Sequence, residues 1–364
     1  MANIDLTIIK YTELNEGVNC IEGDDFGIAA EILSEPRVDA YLKNPNLSND
    51  YKYGIALSRV DGKIVGRAAT FPTRFKIDSE IYESISGTAL EVKEEYRHFA
   101  VGADIVTQPI FDKQYNYIVY SGISDMALSL YRKLRFIIFP FPRLMLAGRS
   151  RSLLEFKGVK GAMLNILSPL VDIPINVLHR INRYRGSKIA AKYMIKKLEI
   201  VPEWVNEITL NDGHKYMEVH DKKWLQWNLD CNFRGLNNDI QSFYAIYNLD
   251  RPIAFFFLKE RYRENAGGLK KVHIGSIMEW GISKGASITE ADIIKIALTK
   301  FSKNLDVIEF ATVDRDTIAK MKSFGFINHG DAHIAFKDLS KVCKDANDIN
   351  LWRIRYGYAD VILT

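Results

Sequence analysis

Leu90-Glu91-Val92-Lys93-Glu94-Glu95-Tyr96-Arg97-His98-Phe99-Ala100-Val101-Gly102-Ala103 ends one element and opens another. Its first residues close a β-rich run, an acidic turn follows, and a helix begins with an arginine and a series of small side chains. The first amides of a helix have no partner inside it and point outward, where they can cradle a diphosphate. Small side chains at such a start let an anion approach the main chain. The bland alternative is packing, because small residues also open helices for steric reasons.

A second segment follows: Tyr120-Ser121-Gly122-Ile123-Ser124-Asp125-Met126-Ala127-Leu128-Ser129-Leu130-Tyr131-Arg132-Lys133-Leu134-Arg135-Phe136. It reads as a strand, a polar break and a helix with Met126, Leu130 and Leu134 on one stripe. With both segments in view, the sequence resembles the GNAT superfamily of acyl-CoA N-acyltransferases. Arg97, Ala100 and Gly102 resemble its Arg/Gln-x-x-Gly-x-Gly/Ala loop. Ser124, Ala127, Tyr131 and Phe136 resemble its Asn-x-x-Ala-x-x-x-Tyr-x-x-x-Gly-Phe helix. The ordered pair, more than either motif alone, carries the resemblance, which covers roughly residues 50 to 148.

The resemblance implies a V-shaped opening between the strands ending near Val92 and near Ser121. An acyl-CoA, acetyl-CoA or another, would lay its pantetheine arm against the main chain of Leu90 and Val92. Its diphosphate would sit on the amides of His98, Phe99, Ala100, Val101, Gly102 and Ala103, with Arg97 and Ser124 at the same site. Tyr131 would protonate the departing thiolate, a role suited to a phenol with a pKa near ~10. Glu91, ahead of Glu83 or a water chain, would take the proton of the attacking amine. The bland readings are a core tyrosine and a solvated strand-end acid. Ala100 and Arg135 stand where the family has glycine, and Arg135 then occupies a helix C-cap position that favours positive φ.

Working outward, Tyr53 to Val60 and Lys63 to Phe71 flank Asp61-Gly62, a strong hairpin signal. Ile81 to Val92 is a strand, Arg97 onward a helix limited by Pro109, Tyr117 to Ser121 a strand, Asp125 to Leu134 a helix and Arg143 to Leu146 a closing strand. The same order returns later. Ser242 to Tyr247 and Pro252 to Lys259 form a hairpin, and Val272 to Ile282 a long strand. Ser287 and Glu290 are the capping box of a helix running to Phe301. Val307 to Ala311, Thr317 to Ser323 and Ile334 to Lys337 complete the copy. Its Phe324-Gly325-Phe326 matches the tail of the second motif, but Met321 replaces the tyrosine and Gly285 to Thr289 lacks the anion loop. The fold class expected is therefore mixed α/β, with two GNAT-like domains, each a twisted mixed sheet flanked by helices. Residues 1–147 would bind acyl-CoA, 148–197 form a basic helical linker, and 198–364 form a degenerate second copy that shapes the acceptor site.

The net charge of +4 is concentrated in one stretch: Arg143 to Lys197 holds twelve Lys or Arg against Glu155 and Asp172, or +10, leaving −6 elsewhere. Its apolar runs are expected to be interrupted at Pro169 and Pro174 and too short to span a bilayer. A solvated linker, a face lying on an anionic membrane, and a grip on an anionic acceptor are the three readings; with few aromatics interleaved, nucleic acid comes last. The cysteines, Cys20, Cys231 and Cys343, give neither a disulfide framework nor metal-ligand spacing. With no signal pattern in Met1 to Lys10, a cytoplasmic protein is expected, with peripheral membrane contact through 148–197. His329 and His333 flank Gly330 in a loop, so no metal site is expected. Trp224, Trp227, Phe233, Tyr244 and Tyr247 read as core before acceptor pocket. The function expected is transfer of an acetyl or similar acyl group to an amine, on a small molecule or a glycan precursor. Aminoacyl-tRNA-dependent peptidyl transfer and a non-catalytic binding protein are the alternatives.

Overall fold

A computed structural model describes residues 4–14, 21–25 and 27–358, so Cys20 lies outside the described residues. Strand β1 (Ile4–Lys10) and two short helices, α1 (Ile28–Ile32) and α2 (Glu35–Leu42), precede β2 (Gly54–Val60). Asp61 and Gly62, with φ of 49° and 80°, turn the chain back into β3 (Lys63–Ile77), as an Asp-Gly turn should. Strand β4 (Glu80–Val92) returns along β3, and α3 (Val101–Asp112) crosses to β5 (Tyr117–Ser121), parallel to β4. Helix α4 (Asp125–Lys133) leads to β6 (Ile137–Ala147). Then come α5 (Arg151–Phe156), α6 (Gly161–Ala190), β7 (Met194–Leu198), α7 (Trp204–Leu210), β8 (Tyr216–Glu218) and α8 (Lys222–Asp230).

The second half repeats the first: β9 (Ile240–Asn248), β10 (Arg251–Ala266) and β11 (Leu269–Ile282) are antiparallel neighbours. Helix α9 (Glu290–Leu298) crosses to β12 (Val307–Ala311), parallel to β11, and α10 (Arg315–Lys322) leads to β13 (Ile327–Asp338). All strands join one sheet in the order β1-β2-β3-β4-β5-β13-β6-β12-β11-β10-β9-β7, with β8 alongside β3.

At the seam the halves exchange their last strands. Strand β5 pairs with β13 of the second half, β12 pairs with β6 of the first, and β13 and β6 pair with each other. Leu144 and Leu146 of β6 accordingly pack with Trp280, Phe310 and Met321, whereas Ala335 of β13 packs with Tyr120, Tyr131 and Phe136. The fold is mixed α/β with two GNAT-like halves. The expected helical linker 148–197 ends in a strand: β7 pairs with β9 as β1 pairs with β2, so it runs across the boundary expected at 198.

Three local expectations are corrected. Helix α3 runs through Pro109 to Asp112. Likewise α6 is one helix of 30 residues containing both Pro169 and Pro174. Each proline forfeits one hydrogen bond of its turn, and the neighbouring bonds and packing carry the helix past it. Helix α9 is capped by Thr289, not Ser287: its side chain accepts from the Asp292 amide, and Asp292 accepts in return from the Thr289 amide. The expectation for Arg135 is met, since it takes φ 58°, and Gly325 takes φ 89° in the second copy.

Because each half borrows an inner strand from the other, the chain is expected to unfold as one unit. Scanning calorimetry should show a single transition; two separated transitions would contradict the exchange.

Candidate functional site

Strands β4 and β5 pair only from Ser84 with Tyr117 to Gly87 with Tyr120. Beyond that point they part. Ala89 adopts the left-handed φ of 55°, and β4 slips in register against β3 between Arg67 and Ala69, a β-bulge that turns the strand end. The Lys93 amide donates to the Val65 carbonyl of β3. Main-chain polar groups alternate sides along a strand, so those of Leu90 and Val92 face the opening. At the last paired position the Tyr120 ring needs Gly87, where a Cβ would stand 2.1 Å from it.

The gap is an inner chamber of about 170 Å³ whose lining includes Ala68, Gly87, Leu90, Tyr120, Ser124 and Tyr131. Leu90, Ser124 and Ala127 also line an outer cleft of about 680 Å³, shared with Glu91, Val92, Arg97, His98, Ala100, Gly102, Ala103 and Lys133. Nearly every residue predicted for the donor thus borders one continuous space. Two do not: Val101 is fully buried against β3, and Phe99 stacks on His98 with ring centroids 4.0 Å apart.

The start of α3 faces this cleft without a side-chain cap. Ala103 and Asp104 donate their amides to the Ala100 carbonyl at 2.8 and 3.0 Å. Among the described residues no acceptor takes the amide of Gly102, which borders the cleft and is left as a helix-start donor for an anion; the Val101 amide is buried with its residue. Arg97 Nε is committed to the Val92 carbonyl at 3.0 Å, tying the turn to the strand end. Lys133, which the motif reading did not single out, adds a cation from α4. The second copy differs at the same place. The α9 start is occupied by its own capping box and carries Glu290 and Asp292, an arrangement that repels a diphosphate.

Tyr131 is buried at the inner chamber, its ring 5.4 Å from that of Tyr120 and 5.2 Å from that of Phe136. Tyr120, read from sequence only as part of an apolar strand, supplies a second phenol there, which burial pushes well above its ordinary pKa. It stays protonated and neutral. Glu91 is half exposed in the outer cleft and pairs with the buried Arg67 guanidinium at 2.8 Å, which also holds Glu31 and the Ile28 carbonyl. Glu83 borders a different recess with Arg74 and Tyr115. Trp224, Trp227 and Phe233 are buried in the main core. Among the described residues no group of three His, Cys, Asp or Glu side chains is placed to hold a metal.

No family model and no curated protein matches the sequence. Solved structures do match. N-myristoyltransferase of Saccharomyces cerevisiae with bound myristoyl-CoA aligns over 93% of this chain and 83% of its own, at 12% identity and TM-score 0.58. A GCN5-related N-acetyltransferase from Anabaena variabilis aligns over 94% of this chain and 74% of its own, at 11% identity and TM-score 0.54. A putative acetyltransferase from Pyrococcus horikoshii aligns over 99% and 95%, at 15% identity and TM-score 0.50. The chain has the fold of the GNAT-superfamily acyl-CoA N-acyltransferases.

Two substitutions test the cleft. Ala100 holds a left-handed φ of 62°, so Ala100→Gly should raise stability in urea melts by about 0.5–1 kcal/mol and preserve acyl-CoA binding. At Gly102 a Cβ would meet Leu130 and Val92 only at an ordinary 3.6 Å. An acid in a first helical turn is favourable by about 0.3–1 kcal/mol. Gly102→Asp should therefore leave the melting temperature unchanged or higher while removing the anion site, so that calorimetric titration with an acyl-CoA gives no heat. Retained binding would remove the diphosphate from this helix.

Proposed function

We propose that the chain is an acyl-CoA-dependent N-acyltransferase whose donor lies across the outer cleft with its thioester in the inner chamber. The observation that carries this reading is the unpartnered amide of Gly102 at a helix start that borders the cleft, beside two strands that part. An extended pantetheine can pair with the main chain of Leu90 and Val92, as an added strand would. Arg97, His98, Lys133 and Ser124 border the space left for the nucleotide end.

In the reaction, the acceptor nitrogen forms a bond to the thioester carbon and the carbon–sulfur bond breaks. Tyr131 gives its proton to the departing sulfur. The phenol is suitably placed because it lines the chamber that the acyl group enters. Among the described residues Glu91 is the one carboxylate lining either chamber, so it is the side chain proposed to accept the amine's proton, directly or through water. The modest inner chamber, walled by Tyr120 and Tyr131, favours acetyl or another short acyl group over a long chain. An amine on a small molecule or on a glycan precursor is the acceptor class proposed. An aminoacyl-tRNA donor draws no support, because the cations of 143–197 line neither chamber.

Tyr131→Phe should lower kcat by on the order of 10²- to 10⁴-fold with little change in acetyl-CoA affinity, as loss of a general acid does. Unchanged kcat would remove Tyr131 from the chemistry. Glu91→Gln should lower kcat with little change in acetyl-CoA affinity; an unchanged kcat would reduce Glu91 to a counter-ion of Arg67.

A further inference from the structure

Helix α6 carries its polarity inside out. A surface helix ordinarily turns its apolar stripe to the core and its polar face to water. Here the inward face is largely polar or small. Ser150 donates its hydroxyl to the Ser168 carbonyl and its amide to Asp172, at 3.1 and 2.7 Å. His179 Nε2 lies 2.7 Å from the Ala147 carbonyl, and Asn182 donates to the Phe324 carbonyl at 2.8 Å. Arg183 holds the carbonyls of Phe301 and Ser302, and Gly186 sits so close to α9 that a Cβ would meet the Lys295 carbonyl at 2.3 Å.

Outward, Met163, Ile166, Leu170, Ile173, Val177, Ile181 and Tyr184 recur every three or four residues, and all are exposed. Leu170 and Ile173 keep 58% and 60% of their surface in solvent, which is costly for aliphatic side chains aligned in one patch. The helix is long and apolar enough to cross a bilayer. Its bonds to the body, spread from Ser168 to Gly186, hold it lengthwise against the protein and leave it no freedom to do so.

Charge decides what covers the stripe. Asp172 is the single acid in α6 and is bonded to Ser150, whereas Arg180, Arg183, Arg185 and Lys188 crowd its second half. A second copy seated on the stripe would find on α6 only Asp172, already bonded to Ser150, for the flanking ion pairs that steer helix pairing. An anionic surface, by contrast, matches the +10 of Arg143 to Lys197. Beside the stripe, a recess of about 410 Å³ is lined by Asn176, His179, Arg180, Arg183, Ser302 and Lys303, among others. Its three cations suit one phosphate.

We propose that α6 lies flat on an anionic lipid bilayer, its apolar stripe sunk into the interface and the Arg180–Arg183–Lys303 recess holding a lipid phosphate. Stripe and recess act together, as stable attachment of a peripheral protein requires two signals. The inference is independent of the acyltransferase reading, because attachment is read without substrate.

The test is co-sedimentation of the full chain with vesicles of phosphatidylcholine mixed with phosphatidylglycerol, against phosphatidylcholine alone. Binding to the anionic vesicles should exceed binding to the neutral ones and fall with added salt. Leu170→Asp together with Ile173→Asp should weaken it at least about tenfold, the equivalent of losing one buried aliphatic side chain. Arg180→Glu should weaken binding to anionic vesicles and reduce its salt dependence. Circular dichroism identical to the parent guards against misfolding, since Leu170, Ile173 and Arg180 are exposed. Two results would overturn the proposal: no binding to anionic vesicles at low salt, or a dimer in solution that the paired aspartates dissociate.

Discussion

Two parallel strands that stop pairing after four residues set the terms for everything else in this molecule. Hydrogen bonding between β4 and β5 ends at Gly87 and Tyr120, where the Tyr120 ring lies against a residue with no side chain. The left-handed Ala89 then turns the end of β4 away. An unpaired strand edge is a template for an extended partner. The opening is therefore a standing demand for an extended ligand, and the unpaired start of α3 at its rim makes the same demand of an anion.

The exchanged strands explain how the opening is held. Once β5 parts from β4, its other edge must be fixed, and β13 from the far half of the chain does this over Ile334 to Asp338. Strand β6 returns the service to β12. The second half therefore acts as a brace for the first even though its own helix start is filled by a capping box. Behind the seam, Phe75, Tyr117, Tyr216, Phe336 and Trp352 stack into one aromatic cluster drawn from both halves. The rigidity of the site is thus a property of the whole chain.

Local chemistry made much of this legible. The Asp61-Gly62 hairpin, the long alternating strands and the small residues at the start of α3 each follow from short-range preferences, and the cleft gathers most of the residues the two motifs named. Long-range facts were not legible. Nothing in the period of Ile327 to Asp338 says that it will lie beside Tyr117 to Ser121, because pairing between distant strands is set by the global fold. Tyr120 was absorbed into an apolar run, and only the parting of the strands shows that its phenol meets a cavity. Pro169 and Pro174 suggested a broken segment, whereas α6 passes through both, and its outward apolar stripe emerges only once the packed face is known. That stripe and the donor cleft share no lining residue.

The account turns on the main-chain donor at the start of α3. A crystal structure of the chain with acetyl-CoA bound tests it most directly. The account predicts a diphosphate oxygen within about 2.7–3.2 Å of the Gly102 nitrogen, with the pantetheine running between β4 and β5. A cofactor bound elsewhere, or one whose phosphates leave that amide untouched, would contradict it.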